Sequence, residues 1–531
     1  MTLIFYQANP IMGAVDANAD ALLAAAATAP HKSLMIAPEL YLVGYPPDDL
    51  VTTPATLSAC HTALNRLAKN FPKDRAAIVG TAIEHDGAVI NGAAMVTHGR
   101  WDIVAEKMTL PNYGVFDDAR VFIPGNGPGT IYWQGKHYGV IICEDTWFPE
   151  PLEKLLESAE HPLAGLISIN ASPYASGKQL RREAMLKERA HRLRAPVYYL
   201  NMVGGLDEVV FDGHSFAVDA HGNVTQQLDG FCEVTTAIVP QENIPPHACV
   251  EQNHWQAMVL ALRDYVHKNG FSQVCLGLSG GVDSALVATI AVDALGAANV
   301  TAIIMPSPYS SDETQNDARA QADRLGIRAI RMPITPVQSA MMDSLANGFG
   351  EAPNDITAQN IQSRIRGMML MAYSNQTGAM LLTTGNKSEL AVGYATLYGD
   401  MNGGFNPIKD LYKTQVYDLC SWRNDNLPHG AKITVPILES IITRAPSAEL
   451  KPDQRDQDTL PPYDILDEIL MVLIEGNGDP AALEKFDAPL VQKIHGWLNR
   501  NEYKRFQSAP GPKLGEKAFG RDRRFPMTNK S

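Results

Sequence analysis

Short apolar runs alternating with longer stretches of mixed polarity dominate the first 240 residues. Leu3–Ala8 and Ser33–Ala37 read as strands on either side of an Ala-rich helix. Ala76–Glu84, Gly92–Thr97, Tyr138–Cys143, Gly165–Ser168 and Val197–Asn201 continue the series. His214–Asp219 and Glu233–Val239 read as a terminal hairpin around Asp219-Ala-His-Gly222. Two layered sheets with helices outside would accommodate this order. Near Gln241–His247 the composition turns to Pro and polar residues, which marks a linker. A helix over Asn253–Lys268 then opens a second series, with strands at Val274–Leu278, Val300–Met305, Ala329–Pro333 and Ala379–Thr384. Strands alternating with helices argue for a doubly wound parallel sheet, whose ligand belongs at the carboxyl ends of the strands. The expected division is 1–245 and 246–531, in the α/β class throughout.

The most informative stretch joins strand Val274–Leu278 to a helix expected over Ala285–Leu295. It reads Ser279-Gly280-Gly281-Val282-Asp283-Ser284. Adjacent glycines at a strand-to-helix turn let successive backbone N–H groups converge on one anion. Ser279 and Ser284 add hydroxyls, and Asp283 sets a carboxylate among phosphates, which makes sense if Mg²⁺ bridges them. No Gly-Lys-Ser/Thr follows, so this is not a Walker loop. An ordinary βα turn would need only the glycines.

In the first half, Glu39 follows strand Leu34–Pro38, Lys107 lies in Ala105–Arg120, and Cys143 ends strand Gly139–Cys143. At strand ends these three would supply a base, a cation for an oxyanion and a nucleophile. Taken singly each is ordinary, since a buried cysteine is usually only a small hydrophobe. In the second half, Asn360, Arg364 and Gly367 share a face of a helix that Asn360 is expected to open. Thr384 and Glu389 lie at a sheet edge, and Tyr398–Gly404 is a glycine-rich loop leading to Lys413. Ser447–Tyr463, rich in Asp, Gln and Pro, reads as a mobile loop. Residues 501–531 carry eight Lys/Arg against three Asp/Glu, a basic tail.

These motifs carry resemblances. Ser-Gly-Gly-x-Asp-Ser resembles the pyrophosphate loop of the N-type ATP pyrophosphatases. Pro38-Glu39-Leu40, Lys107 with Leu110–Phe116, and Cys143-Glu-Asp-Thr-Trp147 resemble the Glu-Lys-Cys sites of the nitrilase superfamily. That likeness implies an αββα sandwich in which Glu39 accepts protons, Lys107 stabilises the tetrahedral intermediate and Cys143 forms a thioester. Tyr113 and the segment Asn170–Lys178 resemble the glutamine-holding elements of the glutaminase members, implying Tyr113, Ser172 and Lys178 as contacts. Over nearly the full chain the set resembles the glutamine-dependent NAD⁺ synthetases, including Asp456–Tyr463 and Glu502–Arg505. The resemblance implies ATP at Gly277, Leu278, Ser279, Gly280, Gly281, Val282, Asp283, Ser284, Thr384 and Lys413. It implies Mg²⁺ at Asp283 and Glu389, and deamido-NAD⁺ at Asn360, Arg364, Glu389 and Lys504. Asp118 stands where the nitrilase family usually shows Glu, and Leu397 where single-domain synthetases place Lys. No role is carried over to either.

Composition narrows the alternatives. At 531 residues the chain is too long for one core. It is 45% hydrophobic and 19% charged, an ordinary globular balance, and its net charge of −14 argues against a nucleic-acid partner. Six scattered cysteines with no C-x-x-C pair fit a reducing cytosol, and no apolar run approaches a membrane span. The expected partners are therefore small molecules, with no membrane, in a cytoplasmic homo-oligomer. Met1-Thr2 excludes the N-terminal cysteine of asparagine synthetases. The absence of paired cysteines opposes the sulfur-inserting pyrophosphatases, and no cysteine elbow of a GMP synthetase triad appears. A nucleotide sensor with a degenerate amide site is opposed by intact Glu39, Lys107 and Cys143.

Overall fold

The computed structural model describes residues 2–452, 454–476 and 478–529. The chain forms two compact units, Met1–Ala248 and Cys249–Ser531.

The first unit holds β1 (Thr2–Gln7), β2 (Ser33–Ile36), β3 (Ala76–His85), β4 (Ala88–Thr97), β5 (Arg100–Glu106), β6 (Gly129–Trp133), β7 (Lys136–Ile142), β8 (Leu166–Asn170), β9 (Val197–Asn201), β10 (Val203–Leu206), β11 (Val209–Asp212), β12 (Phe216–Val218), β13 (Val224–Gln227) and β14 (Val234–Ala237). Two six-stranded sheets result, ordered β14-β1-β2-β3-β4-β5 and β13-β12-β9-β8-β7-β6, with β10 and β11 paired apart.

Alternation along the strands explains the layering. Leu3, Phe5, Leu34, Ile36 and Ile78 meet Val140, Ile142, Ile167, Ile169 and Leu200 between the sheets. Ile4, Met35, Ala77 and Val79 face the other way, onto Leu22, Leu64 and Leu67 of helices Val15–Thr28 and Pro54–Asn70. Ile141, Leu166, Val197 and Tyr199 pack on Leu152, Leu155 and Leu186 of helices Pro149–Ser158 and Lys178–Leu193. This is an αββα sandwich of the nitrilase type.

The expected terminal hairpin is half right. β12 turns at Asp219–Asn223 but pairs with β13, and β14 instead crosses to pair antiparallel with β1. Val234–Ala237 thereby closes the edge of the first sheet, which local pattern could not reveal.

The second unit is built on β15 (Val274–Gly277), β16 (Val300–Ile304), β17 (Arg328–Arg331) and β18 (Met380–Leu382), all parallel in the order β17-β16-β15-β18. The chain leaves β15 toward β16 and later returns to its other side as β18. The loops after β15 and β18 therefore flank the crevice where such Rossmann-like sheets bind nucleotides.

Three expectations about this unit change. The helix after the glycine loop spans Val282–Leu295, so Asp283 and Ser284 occupy its first turn rather than preceding it. Asn360 does not open its helix, which spans Asp355–Thr377 behind an Asn354 cap. The described residues of Ser447–Tyr463 are held at several points: Glu449 accepts from Ser311 and Thr314, and buried Asp456 accepts from Tyr463 and Tyr394. Part of the basic tail is neutralised within the fold. Arg505, Arg523 and Lys513 are buried, the two arginines on Glu502 and the lysine on Asp522. No helix among the described residues is long and apolar enough to cross a membrane.

Gly80 of β3 shows how the first fold serves its site. A Cβ there would lie 2.3 Å from Leu40 N and Pro38 O and 2.6 Å from Glu39 C, all backbone. Gly80→Ala is expected to lower stability by about 1–3 kcal/mol through overpacking, and to displace Glu39. Paired melting curves and glutamine-hydrolysis assays check this: both should fall.

Candidate active sites

In the first unit, β2 delivers Glu39, the end of β5 delivers Lys107 and β7 delivers Cys143. Lys107 is fixed through its backbone, donating its N–H to Asn91 O and receiving Gly125 N–H on its carbonyl, both at 2.8 Å. Its ammonium donates to Glu39 Oε1 at 2.8 Å and Asp118 Oδ2 at 2.7 Å, with none of the three side chains more than 3% exposed. Burial alone would lower the Lys107 pKa, but the Asp118 and Glu39 charges hold it well above its usual value. Glu39 also accepts from Asn91 Nδ2 at 2.8 Å and from Ala171 N at 3.0 Å.

Cys143 sits at φ 44°, a left-handed conformation at the sharp exit from β7. Burial, and then the Glu39 charge beside it, push its thiol well above the ordinary value, and the Glu39 carboxylate hydrogen-bonds it. The resting nucleophile is therefore a neutral thiol next to a base. Two residues on, fully buried Asp145 accepts from Met108 N at 3.1 Å and Thr109 N at 2.6 Å. It staples the nucleophile's turn to the strand end that carries Lys107, while burial pushes its carboxyl up to about 6.

The expected glutamine contacts lie around this centre. Tyr113 is 59% exposed, and its hydroxyl donates to Glu144 Oε1 at 2.8 Å. Ser172 is buried, with its hydroxyl already accepting from Arg182, whose guanidinium forms a bidentate pair with Asp212. Lys178 begins its helix, and burial, then the charge of Arg182, pull its pKa down to about 8. The Asp212 and Glu144 charges oppose that shift. Sequence reasoning missed Glu144, Asn91, Asp145 and Arg182. Only Glu144 and Asp145, in the Cys-Glu-Asp run, left a local signal.

In the second unit Gly280 has φ 85°, and a Cβ on it would lie 2.2 Å from Thr314 O. Only glycine permits that approach. Ser279 and Ser284 hydroxyls are 3.1 Å apart, and Gly281 N–H donates to Ser279 Oγ at 3.2 Å. Across the crevice Asn386 Nδ2 donates to Asp283 Oδ1 at 2.9 Å. Lys413, buried at the start of helix Lys413–Asp425, ion-pairs with Asp283 and reaches Glu389 Oε1 at 3.2 Å. Burial raises the Glu389 carboxyl despite the Lys413 charge. Thus Asp283, Glu389 and Lys413 come together, with half-buried Thr384 just beyond β18.

Of the four expected dinucleotide residues, Glu389 stays beside Asp283 and Lys413, while Asn360, Arg364 and Lys504 gather around the loop 393–402. Asn360 accepts from Thr396 Oγ1 at 2.9 Å, and exposed Arg364 donates Nε–H to Leu397 O at 3.2 Å. Lys504 donates to Gly393 O and Ala395 O at 2.8 and 2.9 Å. Gly277, Leu278 and Val282 complete the glycine loop, Leu278 and Val282 being buried.

Comparison with known proteins agrees with both halves. Residues 6–245 match the carbon-nitrogen hydrolase family and residues 254–508 match NAD synthase. Glutamine-dependent NAD⁺ synthetases are similar end to end. That of Xanthomonas campestris pv. campestris is 42% identical, covering 98% of this chain and 95% of its own. That of Thermotoga maritima is 40% identical, covering 99% and 98%. The structure of the glutamine-dependent NAD⁺ synthetase from Acinetobacter baumannii in complex with ADP aligns with a TM-score of 0.78 at 37% identity, over 99% of this chain and 98% of that one. A carbon-nitrogen hydrolase unit and an NAD synthase unit in one chain, with similarity running its whole length, place it in the glutamine-dependent NAD⁺ synthetase family.

Proposed function

We propose that this chain is a glutamine-hydrolysing NAD⁺ synthetase, a ligase that forms NAD⁺, AMP, pyrophosphate and glutamate from deamido-NAD⁺, ATP and glutamine. The observation that carries the reading is the buried Glu39–Lys107–Cys143 constellation, joined in one chain to a Ser-Gly-Gly-x-Asp-Ser loop.

In the first unit Glu39 takes the thiol proton as Cys143 Sγ adds to the amide carbon of glutamine. The Lys107 ammonium has three N–H groups. Two are held by Glu39 and Asp118, which leaves the third for the developing oxyanion. Glu39 then returns the proton to the leaving nitrogen, ammonia departs, and water activated by Glu39 cleaves the thioester to glutamate. Tyr113, Ser172 and Lys178 hold the substrate, with Lys178 directed to its α-carboxylate.

In the second unit a carboxylate oxygen of deamido-NAD⁺ attacks the α-phosphorus of ATP, and the bond to the β-phosphate oxygen breaks. The N–H groups and hydroxyls from Gly277 to Ser284 receive the departing pyrophosphate, with Thr384 and Lys413 beside them. Ammonia then displaces AMP from the adenylate. Asn360, Arg364, Glu389 and Lys504 hold the dinucleotide. Asp283 and Glu389 fit a Mg²⁺ ion: both carboxylates already converge on one cation, the Lys413 ammonium, next to the phosphate loop. Among the described residues no cluster of three or more His, Cys, Asp or Glu forms, so phosphate and water would complete the coordination, as Mg²⁺ prefers. When bound, the ion supplies charge neutralisation on the leaving pyrophosphate.

Ammonia protonated in bulk water is no longer nucleophilic, so we infer that it passes from Cys143 to the adenylate within the protein. Six free cysteines suit a cytoplasmic setting. A homo-oligomer is favoured by helix Thr335–Phe349, which buries none of its residues and exposes Val337, Met341 and Phe349. Sedimentation velocity should then show more than one chain per particle.

The test of the whole reading is a product analysis. Wild type should form AMP and pyrophosphate, and stoichiometric ADP would refute it. Cys143→Ala should lose glutamine-supported synthesis yet keep synthesis from added ammonium. Asp283→Asn should cost about 10²-fold or more with either nitrogen source.

The glutamine contact makes a separate pH prediction. Lys178 is charged below about 8 and neutral above it. The KM for glutamine should therefore be flat at lower pH and climb toward about tenfold per unit above that value. Lys178→Arg should remove the climb, and comparing the two profiles cancels titration of the substrate's own α-amine.

A further inference from the structure

Ten described non-glycine residues of the first unit have positive φ, and two of them sit at its working groups. Leu40, beside Glu39, and Cys143 both have positive φ, at 46° and 44°. Among the described residues of the second unit, three non-glycine residues share that region: Tyr398 at 62°, Val435 at 50° and Glu449 at 47°. Glu449 has a local return, since its carboxylate accepts from Ser311 and Thr314. Val435 presents its carbonyl to Arg324. Tyr398 gains no burial: its side chain is 64% exposed.

The scaffold nevertheless fixes this residue closely. Asp400 accepts from Thr396 N at 2.8 Å and donates its own N–H to Ser363 Oγ at 3.0 Å, closing the loop against helix Asp355–Thr377. A Cβ on Gly367 of that helix would lie 2.7 Å from Gly399 O and 3.1 Å from Tyr398 O, so a glycine there is what admits the loop. Asn402 Nδ2 donates to Tyr398 O at 3.2 Å, and the Tyr398 hydroxyl donates to Gln507 Oε1 at 2.9 Å. The ring is thus anchored at its backbone and at its tip while its body faces solvent. An aromatic held outward in a strained conformation costs stability without packing to offset it, which points to function.

Its neighbours indicate what it meets. Arg364 bonds the carbonyl of the preceding residue, Leu397, and keeps its guanidinium exposed. Lys504 bonds the carbonyls of Gly393 and Ala395 in the same loop. Phe506, adjacent to Gln507, is 74% exposed. An exposed flat ring on a loop whose carbonyls are held by two cations suits a heteroaromatic base attached to phosphates.

We propose that Tyr398 is the stacking platform for one heteroaromatic base of the dinucleotide substrate, with Arg364 and Lys504 toward its phosphates. The proposal rests on the second unit being the dinucleotide-adenylating half and adds a specificity residue to it.

The experiment measures equilibrium binding of deamido-NAD⁺ to the full chain by calorimetry, together with the melting temperature of each variant. Tyr398→Ala should raise Kd about tenfold or more, the loss of one stacked base. Tyr398→Phe keeps the ring and should stay within about threefold. Tyr398→Gly separates function from structure: glycine accepts the left-handed backbone, so the melting temperature should hold or rise while Kd climbs as in the Ala variant. Competition by AMP and by nicotinate mononucleotide then identifies the base, since only the fragment that stacks should weaken in Tyr398→Ala. An Ala variant that binds deamido-NAD⁺ as tightly as wild type overturns the proposal. So does one whose weaker binding tracks loss of oligomer in sedimentation. Wild type failing to bind deamido-NAD⁺ would instead sink the functional reading beneath it, and the proposal with it.

Discussion

A lysine ammonium removed from water is tolerable only beside carboxylates that neutralise it, and the site of each unit is organised around such a lysine. Lys107 lies between Glu39 and Asp118, and Lys413 between Asp283 and Glu389. Taking the lysine away would strand two buried carboxylates, at a cost of about 3–5 kcal/mol. The backbone around each lysine is accordingly over-determined. In the first unit β4 and the Gly125 turn grip Lys107, and Asp145 holds the two amides that follow it. In the second, the Asn386 amide and the Lys413 ammonium tie the loop after β18 and the start of helix Lys413–Asp425 to Asp283.

With both carboxylates ionised each cluster carries a formal charge of −1, a state that burial disfavours at Glu389, and the two chemistries use that surplus differently. In the first unit it opposes ionisation of the thiol, which adds to burial and keeps Cys143 protonated until an electrophile arrives. A permanently ionised thiolate would be open to oxidation. In the second unit the surplus negative charge sits at the mouth of a helix whose N–H groups attract anions. The carboxylates would repel a triphosphate alone and favour one that arrives with a divalent cation. Beside the first cluster the Arg182–Asp212 pair is self-neutralising, with the Asp212 carboxyl, raised by burial alone, held well below its ordinary value by the guanidinium. That neutral pair can place Ser172 without disturbing the charge at Cys143.

What the sequence disclosed follows the range over which each signal acts. Strands buried on one or both faces advertise themselves through their own residues, so β1, β2, β3, β7, β8, β9, β15 and β16 were legible. β5 and β6 were not, because Arg100–Glu106 and Gly129–Trp133 mix polar and apolar residues at the edge of a sheet. The pairing of β14 with β1 joins residues more than two hundred apart, and no local pattern encodes it. The glycine loop and the Glu-Lys-Cys order were readable because their residue types are demanded by chemistry. The partners that orient them were hidden, since Asn91 and Arg182 are common residues whose meaning comes only from what they touch. The pairings of the C-terminal stretch were hidden for a related reason: a count of lysines and arginines cannot show that Glu502 takes two of the arginines and Asp522 a lysine.

The departure at Asp118 shows how a shorter side chain can serve where the nitrilase family usually has Glu. A carboxylate one methylene shorter reaches Lys107 only if its own backbone comes closer. Asp118 begins the one-turn helix Asp118–Val121, and its N–H donates to Pro111 O at 3.1 Å, which draws the turn inward. The oxygen that does not face Lys107 accepts from the hydroxyl of buried Tyr45 at 2.8 Å. Tyr45 in turn packs edge-on against Phe211 and lies under the Lys107 ammonium, 5.5 Å from its ring centroid. A glutamate in the same turn would have to fold its extra methylene against that ring or push the hydroxyl aside. The short carboxylate and the tyrosine therefore form one fitted pair, and the constraint they satisfy is the one set by Lys107: every charge brought near it must arrive with its remaining hydrogen-bonding capacity already met.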